Sequence, residues 1–222
     1  MFLFLASVLS CLTSATVAPP VTITLSHDNH AALIGEVNTE TVNEVIETMH
    51  QINQPEILLY INSPGGLVFE GDKLMAYMDY RQQTGTQITC IAQMAHSMAF
   101  SIMQKCDLRL VTASTMMMQH QISLGSYGEL AKVNNYLQLI NQVSKRLNQQ
   151  AAKRIGVSLE EFEKRVQQDW WSYGENIVKD GRVIKYKESR THCLKFDYDV
   201  SIKKDIQKWF NKNYAFDIDN LS

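Results

Sequence analysis

Residues 92–104 read AQMAHSMAFSIMQ, and the choice of fold turns on this run. The residues before it, 88–91 (ITCI), are apolar throughout, the pattern of a strand buried on both faces. From Ser97 onward the apolar run continues as a helix, so Ser97 is expected at a strand-to-helix turn. A hydroxyl there stands at the top of a sheet, close to backbone N–H groups that can stabilise an oxyanion. A serine in this position more often serves only as a helix cap. Three other features give it chemical meaning: Gly65-Gly66 upstream, His120 at a strand end downstream, and Asp169 further on.

Outward from this stretch the chain alternates strands and helices. Residues 21–25 and 31–34 read as short strands joined by a polar turn at 26–30. Asn38 or Thr39 caps a helix whose apolar face is Val42, Val45, Ile46 and Met49. Residues 56–62 (EILLYIN) form a buried parallel strand, and Ser63-Pro64-Gly65-Gly66 turns into a helix carrying Leu67, Leu74, Met75 and Met78. Residues 108–112 and 116–119 supply two more strands. The expected class is α/β with a largely parallel sheet. From Gly128 the pattern becomes helical: Leu130, Val133, Leu137, Ile140, Leu147 and Ala151 recur at spacings suited to one face, and Gly156 is a natural stop. A helix of roughly 26 residues here would be about 39 Å long. It is read either as a core helix or as an arm that packs on a neighbouring subunit. Ser158 with Glu161, and Ser172 with Glu175, read as capping boxes, and Gly181 ends the second of these helices before a strand over 182–186.

The formal net charge of −2 gives no ground for a nucleic acid or an anionic membrane as partner. The densest cationic patch, residues 182–190, reads as a solvated face. Residues 1–18 (MFLFLASVLSCLTSATVA) carry no charge, begin apolar and end in small residues. They resemble a secretory signal peptide cleaved near Ala15 or Ala18, which implies a periplasmic or secreted protein. A retained anchor and an intracellular, cytoplasmic start are the alternatives. Outside that stretch stand Cys90, Cys106 and Cys193, an odd set without framework spacing, so no disulfide scaffold is expected and Cys90 reads as core. His27 and His30 flank a polar loop and are not read as a metal site. No cofactor is called for.

Amide hydrolysis needs a nucleophile, a base, a group that orients the base, and donors for the oxyanion. Ser97 suits the first role and His120, ending the strand at 116–119, the second. His96 adjoins Ser97, but neighbours at a helix start point in different directions, so His120 is preferred. Asp169 can orient the imidazole. The Gly65-Gly66 turn lets a backbone N–H approach the reacting carbonyl, and Met98, next after the nucleophile, can offer a second.

At this point residues 56–66 (EILLYINSPGG), 95–100 (AHSMAF), 117–121 (MMQHQ) and the Asp169 segment resemble the Clp protease proteolytic subunit, ClpP, of the crotonase-like superfamily. The likeness spans about residues 33–186 within an expected domain of 19–190, leaving 191–222 as an extension of unassigned role. It implies a fold of repeated β-β-α units with a protruding handle helix, here over 128–155, that interlocks two heptameric rings. It implies a serine endopeptidase acting on peptides or unfolded proteins, with Ser97 as nucleophile, His120 as base and Asp169 as its partner. Gly66 and Met98 would form the oxyanion hole; Leu67-Val68 and the stretch from Gln121 and Ile122 would pair with an extended substrate. An ATP-dependent unfoldase would be the partner of an intracellular form, whereas an exported one would act alone. The chain departs from the family pattern at His96, Ala99 and Ile122. Three other readings remain: an inactive ring subunit or scaffold, a Ser-Lys peptidase of signal-peptide-peptidase type using Lys132, and an acyl-CoA enzyme of crotonase type.

Overall fold

The apolar run at residues 56–62 becomes the second strand of a five-stranded sheet. In the computed structural model the described residues are 23–26, 28–182 and 196–198. The elements in chain order are β1 (Ile23–Leu25), β2 (His30–Ile34), α1 (Thr39–Gln51), β3 (Glu56–Ser63), α2 (Val68–Gln83), β4 (Gln87–His96) and α3 (Met98–Met103). There follow β5 (Leu108–Gln119), α4 (Leu130–Ile155), α5 (Leu159–Arg165), β6 (Trp170–Tyr173), α6 (Glu175–Lys179) and β7 (Phe196–Tyr198). The main sheet has the order β2-β3-β4-β5-β6; its first four strands run parallel and β6 is antiparallel to β5. Helical crossovers join the parallel strands, as parallel pairing requires. The architecture is mixed α/β.

One face of the sheet is covered by α1, α2, α3 and the C-terminal half of α4, which share a core of Val42, Met49, Leu59, Leu74, Met78, Cys90, Phe100 and Phe162. On the opposite face Leu25, Leu58, Tyr60 and Ile91 form a smaller buried cluster. Apolar side chains on both faces of β3 therefore reach shelter, which is why its sequence reads as an unbroken run rather than an alternation. Asn38 caps α1 with a full capping box to Thr41, as its sequence anticipates.

Several expectations are replaced by the observed geometry. β1 and β2 belong to different sheets: β2 pairs in parallel with β3, and β1 pairs in parallel with β7, so residues 196–198 of the C-terminal extension add a strand beside β1. The strand ending at Ile91 continues to His96. The strands at 108–112 and 116–119 are one element whose pairing with β4 slips between Ala92 and Met94, where Val111 and then Met116 are the partners. Such an irregularity re-aims the end of a strand. Ser172 caps no helix; it lies in β6 and its hydroxyl donates to Asp180 Oδ2, while Gly174 precedes α6. Four residues of Trp170–Tyr173 gave too short a pattern to announce β6. Ser158 does cap α5, accepting from the Glu161 N–H at 3.1 Å, but the Glu161 carboxylate turns to Arg165. The residue Arg182, expected on a solvated face, is fully buried. Residues 183–186 and the expected signal peptide at 1–18 lie outside the described residues.

α4 spans Leu130–Ile155 and ends where Gly156 takes φ +79°, a left-handed cap suited to glycine. Its second half joins the body through Leu147, Ala151, Ala152 and Ile155, and Ile140 in the first half is also buried. Leu130, Tyr136, Leu137 and Leu139 stay exposed on the first half.

A disulfide joins Cys90 to Cys106, which the spacing of the cysteines does not announce. The turn after α3 returns beside the start of β4: the Asp107 N–H donates to the Ile88 carbonyl, and Asp107 Oδ2 accepts from the Ile88 N–H. That return brings the two Cα atoms to 5.8 Å, within bridging range, and leaves both cysteines fully buried. Closing a loop of this size stabilises by about 3 kcal/mol through the unfolded state. Urea denaturation with reductant present is expected to give an unfolding free energy lower by about that amount than without it. Coincident curves would show that the bridge contributes nothing.

Candidate active site

Ser97 lies between β4 and α3 with φ +52° and ψ −119°. Among the described residues it is the one non-glycine with positive φ, a conformation that strains a side-chain-bearing residue and needs surrounding structure to hold it. The holding contacts are visible. The Ser97 N–H donates to the Met118 carbonyl at 2.8 Å, and its own carbonyl accepts from Ser101. The Met98 side chain packs closely on Gly71 of α2, where even a Cβ would come within 2.4 Å of it. Ser97 makes no side-chain cap bond. Its hydroxyl meets His120 instead, with Oγ to Nε2 at 2.8 Å.

His120 follows β5 directly, and β5 is tied to β4 through the pairing of His96 with Met118, so the two strand ends rise together. Asp169 immediately precedes β6, whose ladder pairs Gln119 with Trp170. This juxtaposition brings Asp169 Oδ1 to 3.9 Å from His120 Nδ1. The distance is an electrostatic contact rather than a hydrogen bond. Asp169 is 58 % exposed at its side chain, against 31 % for His120.

The Gly65-Gly66 turn lies against Ser97. Gly65 has φ +90°, and a Cβ there would stand 2.6 Å from the His96 carbonyl oxygen and 2.7 Å from the Ser97 Cβ. Gly66 has φ +150° and presses on Val37, whose N–H donates to Gly65 O and whose carbonyl accepts from Leu67 N–H. Among the described residues no backbone carbonyl accepts from the Gly66 or Met98 N–H. Met98 follows Ser97 directly, and Gly66 follows the Gly65 that packs on the Ser97 turn.

Leu67 and Val68 are not a strand. Leu67 is extended, but its N–H is taken by Val37 and its carbonyl by Gly71, and Val68 is the first residue of α2. Gln121 is exposed and Ile122 half-buried, in a stretch without regular structure that runs to α4. Lys132 sits in the first turn of α4 and pairs with Glu129 at 2.7 Å. His96 points away from Ser97: it is buried, its ring meets Trp171 edge-on at 5.0 Å, and its Nε2 has no partner among the described residues. A cavity of ≈ 470 Å³ lies elsewhere, lined among others by Gln82, Lys105, Leu147 and Arg154, and does not include Ser97.

The family model of the Clp protease matches residues 16–185. The chain belongs to the Clp protease family. Within that family frame, the sheet, the Gly65-Gly66 turn, the Ser97 turn and the Asp169 segment all fall inside the matched span. So do two features that sequence reasoning missed, the Cys90–Cys106 bridge and the buried Arg182. The only signal for Arg182 was its place one residue after the helix-ending Gly181, which returns the chain to the body.

Two outcomes are expected here. Gly65→Ala forces a Cβ onto backbone and imposes an unfavourable φ, so hydrolysis and thermal stability should both fall, read by peptide cleavage and calorimetry; unchanged cleavage would contradict the packing described. Burial holds the His96 imidazole below its ordinary value of 6.5. Unfolded His96 then takes up a proton at a pH where the folded form does not, so its contribution to stability is lost as pH falls below 6.5. His96→Gln should flatten the dependence of Tm on pH on that acid side.

Proposed function

We propose that this Clp protease family member is an active serine endopeptidase that cleaves peptides or unfolded protein through an acyl-enzyme. The observation that carries the reading is the 2.8 Å contact between His120 Nε2 and a Ser97 hydroxyl held in a strained turn. His120 accepts the hydroxyl proton as Oγ attacks the scissile carbonyl, and the N–H groups of Gly66 and Met98 receive the developing oxyanion. His120 then returns the proton to the leaving amine; water, deprotonated by the same imidazole, releases the acyl group. Asp169 orients the imidazole and stabilises its charged form. From 3.9 Å it closes by about 1 Å to reach hydrogen-bond range, a tightening common when a substrate docks.

The substrate backbone runs along Gln121 and Ile122, where chain without regular structure is free to pair. On the opposite side the Leu67 backbone is engaged and Val68 opens α2, so there the exposed Leu67 side chain, with Val68 beside it, contacts the substrate. The exposed apolar first half of α4 supports assembly with further copies of the chain into a ring, heptameric or double. The uncharged stretch 1–18 supports export, in which case the enzyme works without an ATP-driven unfoldase.

A serine-directed phosphonate should form an adduct on Ser97, located by mass spectrometry, and Ser97→Ala should abolish both the adduct and peptide cleavage while the protein stays folded. His120→Ala should do the same. A folded, assembled protein that takes no adduct would instead be the inactive ring subunit.

A further inference from the structure

Asp169 is exposed, and its side chain makes a 3.9 Å approach to His120. Its position is set by the contacts that fix the two residues after it, Trp170 and Trp171, in the short strand β6. Beside the ladder to β5, one side chain holds the carbonyls of both. Arg182 Nη1 donates to the Trp170 carbonyl at 2.9 Å and Nη2 to the Trp171 carbonyl at 3.1 Å. The same guanidinium lies over the Trp170 ring, 3.6 Å from its centroid, and is 3.4 Å from Asp180 Oδ2. Trp170 is further enclosed by Phe162, edge-on at 6.2 Å, and by Arg165 at 5.0 Å. The Arg182 backbone is tied to the other two catalytic elements. Its carbonyl accepts from Gln104, the residue that caps the nucleophile's helix α3, at 3.2 Å, and from Arg109 of β5, the base's strand, at 3.0 Å.

We propose that Arg182, stacked on Trp170, is a positioning residue that places the Asp169 carboxylate against His120. This rests on the Ser97-His120-Asp169 reading and deepens it. A guanidinium suits the task as no other side chain does: its planar fork bonds two successive carbonyls while its face covers an indole. Burying a cation is costly, and its removal leaves the Trp170 and Trp171 carbonyls and Asp180 without this donor, so its loss bears on stability as well as on placement. The positioning role is therefore read from rate and coupling rather than from folding alone.

The experiment is a double-mutant cycle in full-length protein. Arg182→Met should lower Tm, and at temperatures where it is folded kcat for a peptide substrate should fall by about 10- to 100-fold with little change in KM. With the acid uncoupled, the acidic limb of its pH–rate profile should move to lower pH, in the direction also given by Asp169→Asn. In the Asp169→Asn background Arg182→Met should have almost no further effect, because it acts through that carboxylate. Arg182→Lys, which keeps the charge but loses the fork, should recover only part of the rate. Trp170→Phe, which keeps the apolar plug, should give a milder version of the same pattern and serves if Arg182→Met does not fold. An equal loss of rate in both backgrounds, or wild-type kcat in Arg182→Met, would overturn the positioning role while leaving the triad intact. Activity retained by Ser97→Ala would overturn the triad, and this role with it.

Discussion

The strained turn at Ser97 is the constraint on which the site depends. A residue at φ +52° persists only where its surroundings leave no relaxed alternative, and here they come from three directions. The Met118 carbonyl draws the Ser97 N–H toward β5, Gly65 leaves no room above the turn, and Met98 is anchored in the hollow that Gly71 provides. None of these partners is near Ser97 in sequence except Met98. The hydroxyl is thereby denied its local use as a cap and delivered to the imidazole, so the sheet converts folding free energy into placement of one oxygen atom.

The other members of the site are placed with decreasing rigidity. His120 inherits its position from the parallel ladder between β4 and β5. Asp169 inherits its position from an antiparallel edge strand of four residues, steadied from outside by aromatic rings, the buried Arg182 guanidinium and the part-exposed Arg165. Burial pushes Arg182 down to about 10, with the charge of Asp180 opposing that shift, and pushes Arg109 down to about 9. Two cations at these depths are a recurrent expense of holding loop carbonyls in a dry interior, since each guanidinium can satisfy several acceptors at once.

Much of this was legible before any geometry. The alternation of strands and helices, the apolar face of α1, the length and end of α4 and the approach of Ser97, His120 and Asp169 all follow from periodicity, turn chemistry and the family likeness. The features that stayed hidden depend on contacts between distant residues. β6 is too short for a pattern, and Ser172 offers the same local sequence whether it caps a helix or bonds Asp180. Leu67 and Val68 carry strand-forming side chains, yet the Gly66 turn commits their backbone to Val37 and to α2. Arg182 sits at the head of a cationic run and looks solvated until Trp170 is seen beneath it. The Cys90–Cys106 pairing follows from the return of the chain after α3, which spacing alone does not encode.

That bridge closes a covalent ring that includes Ser97, which lies between the two cysteines. Both sulfurs are shut away from solvent in the finished fold, so neither small thiols nor oxidants reach them without an opening of β4 and α3. Their redox state is consequently written when the chain first folds and is then preserved. A molecule carried later into surroundings of different potential keeps the bond it was born with, a chemical record of the compartment in which it matured.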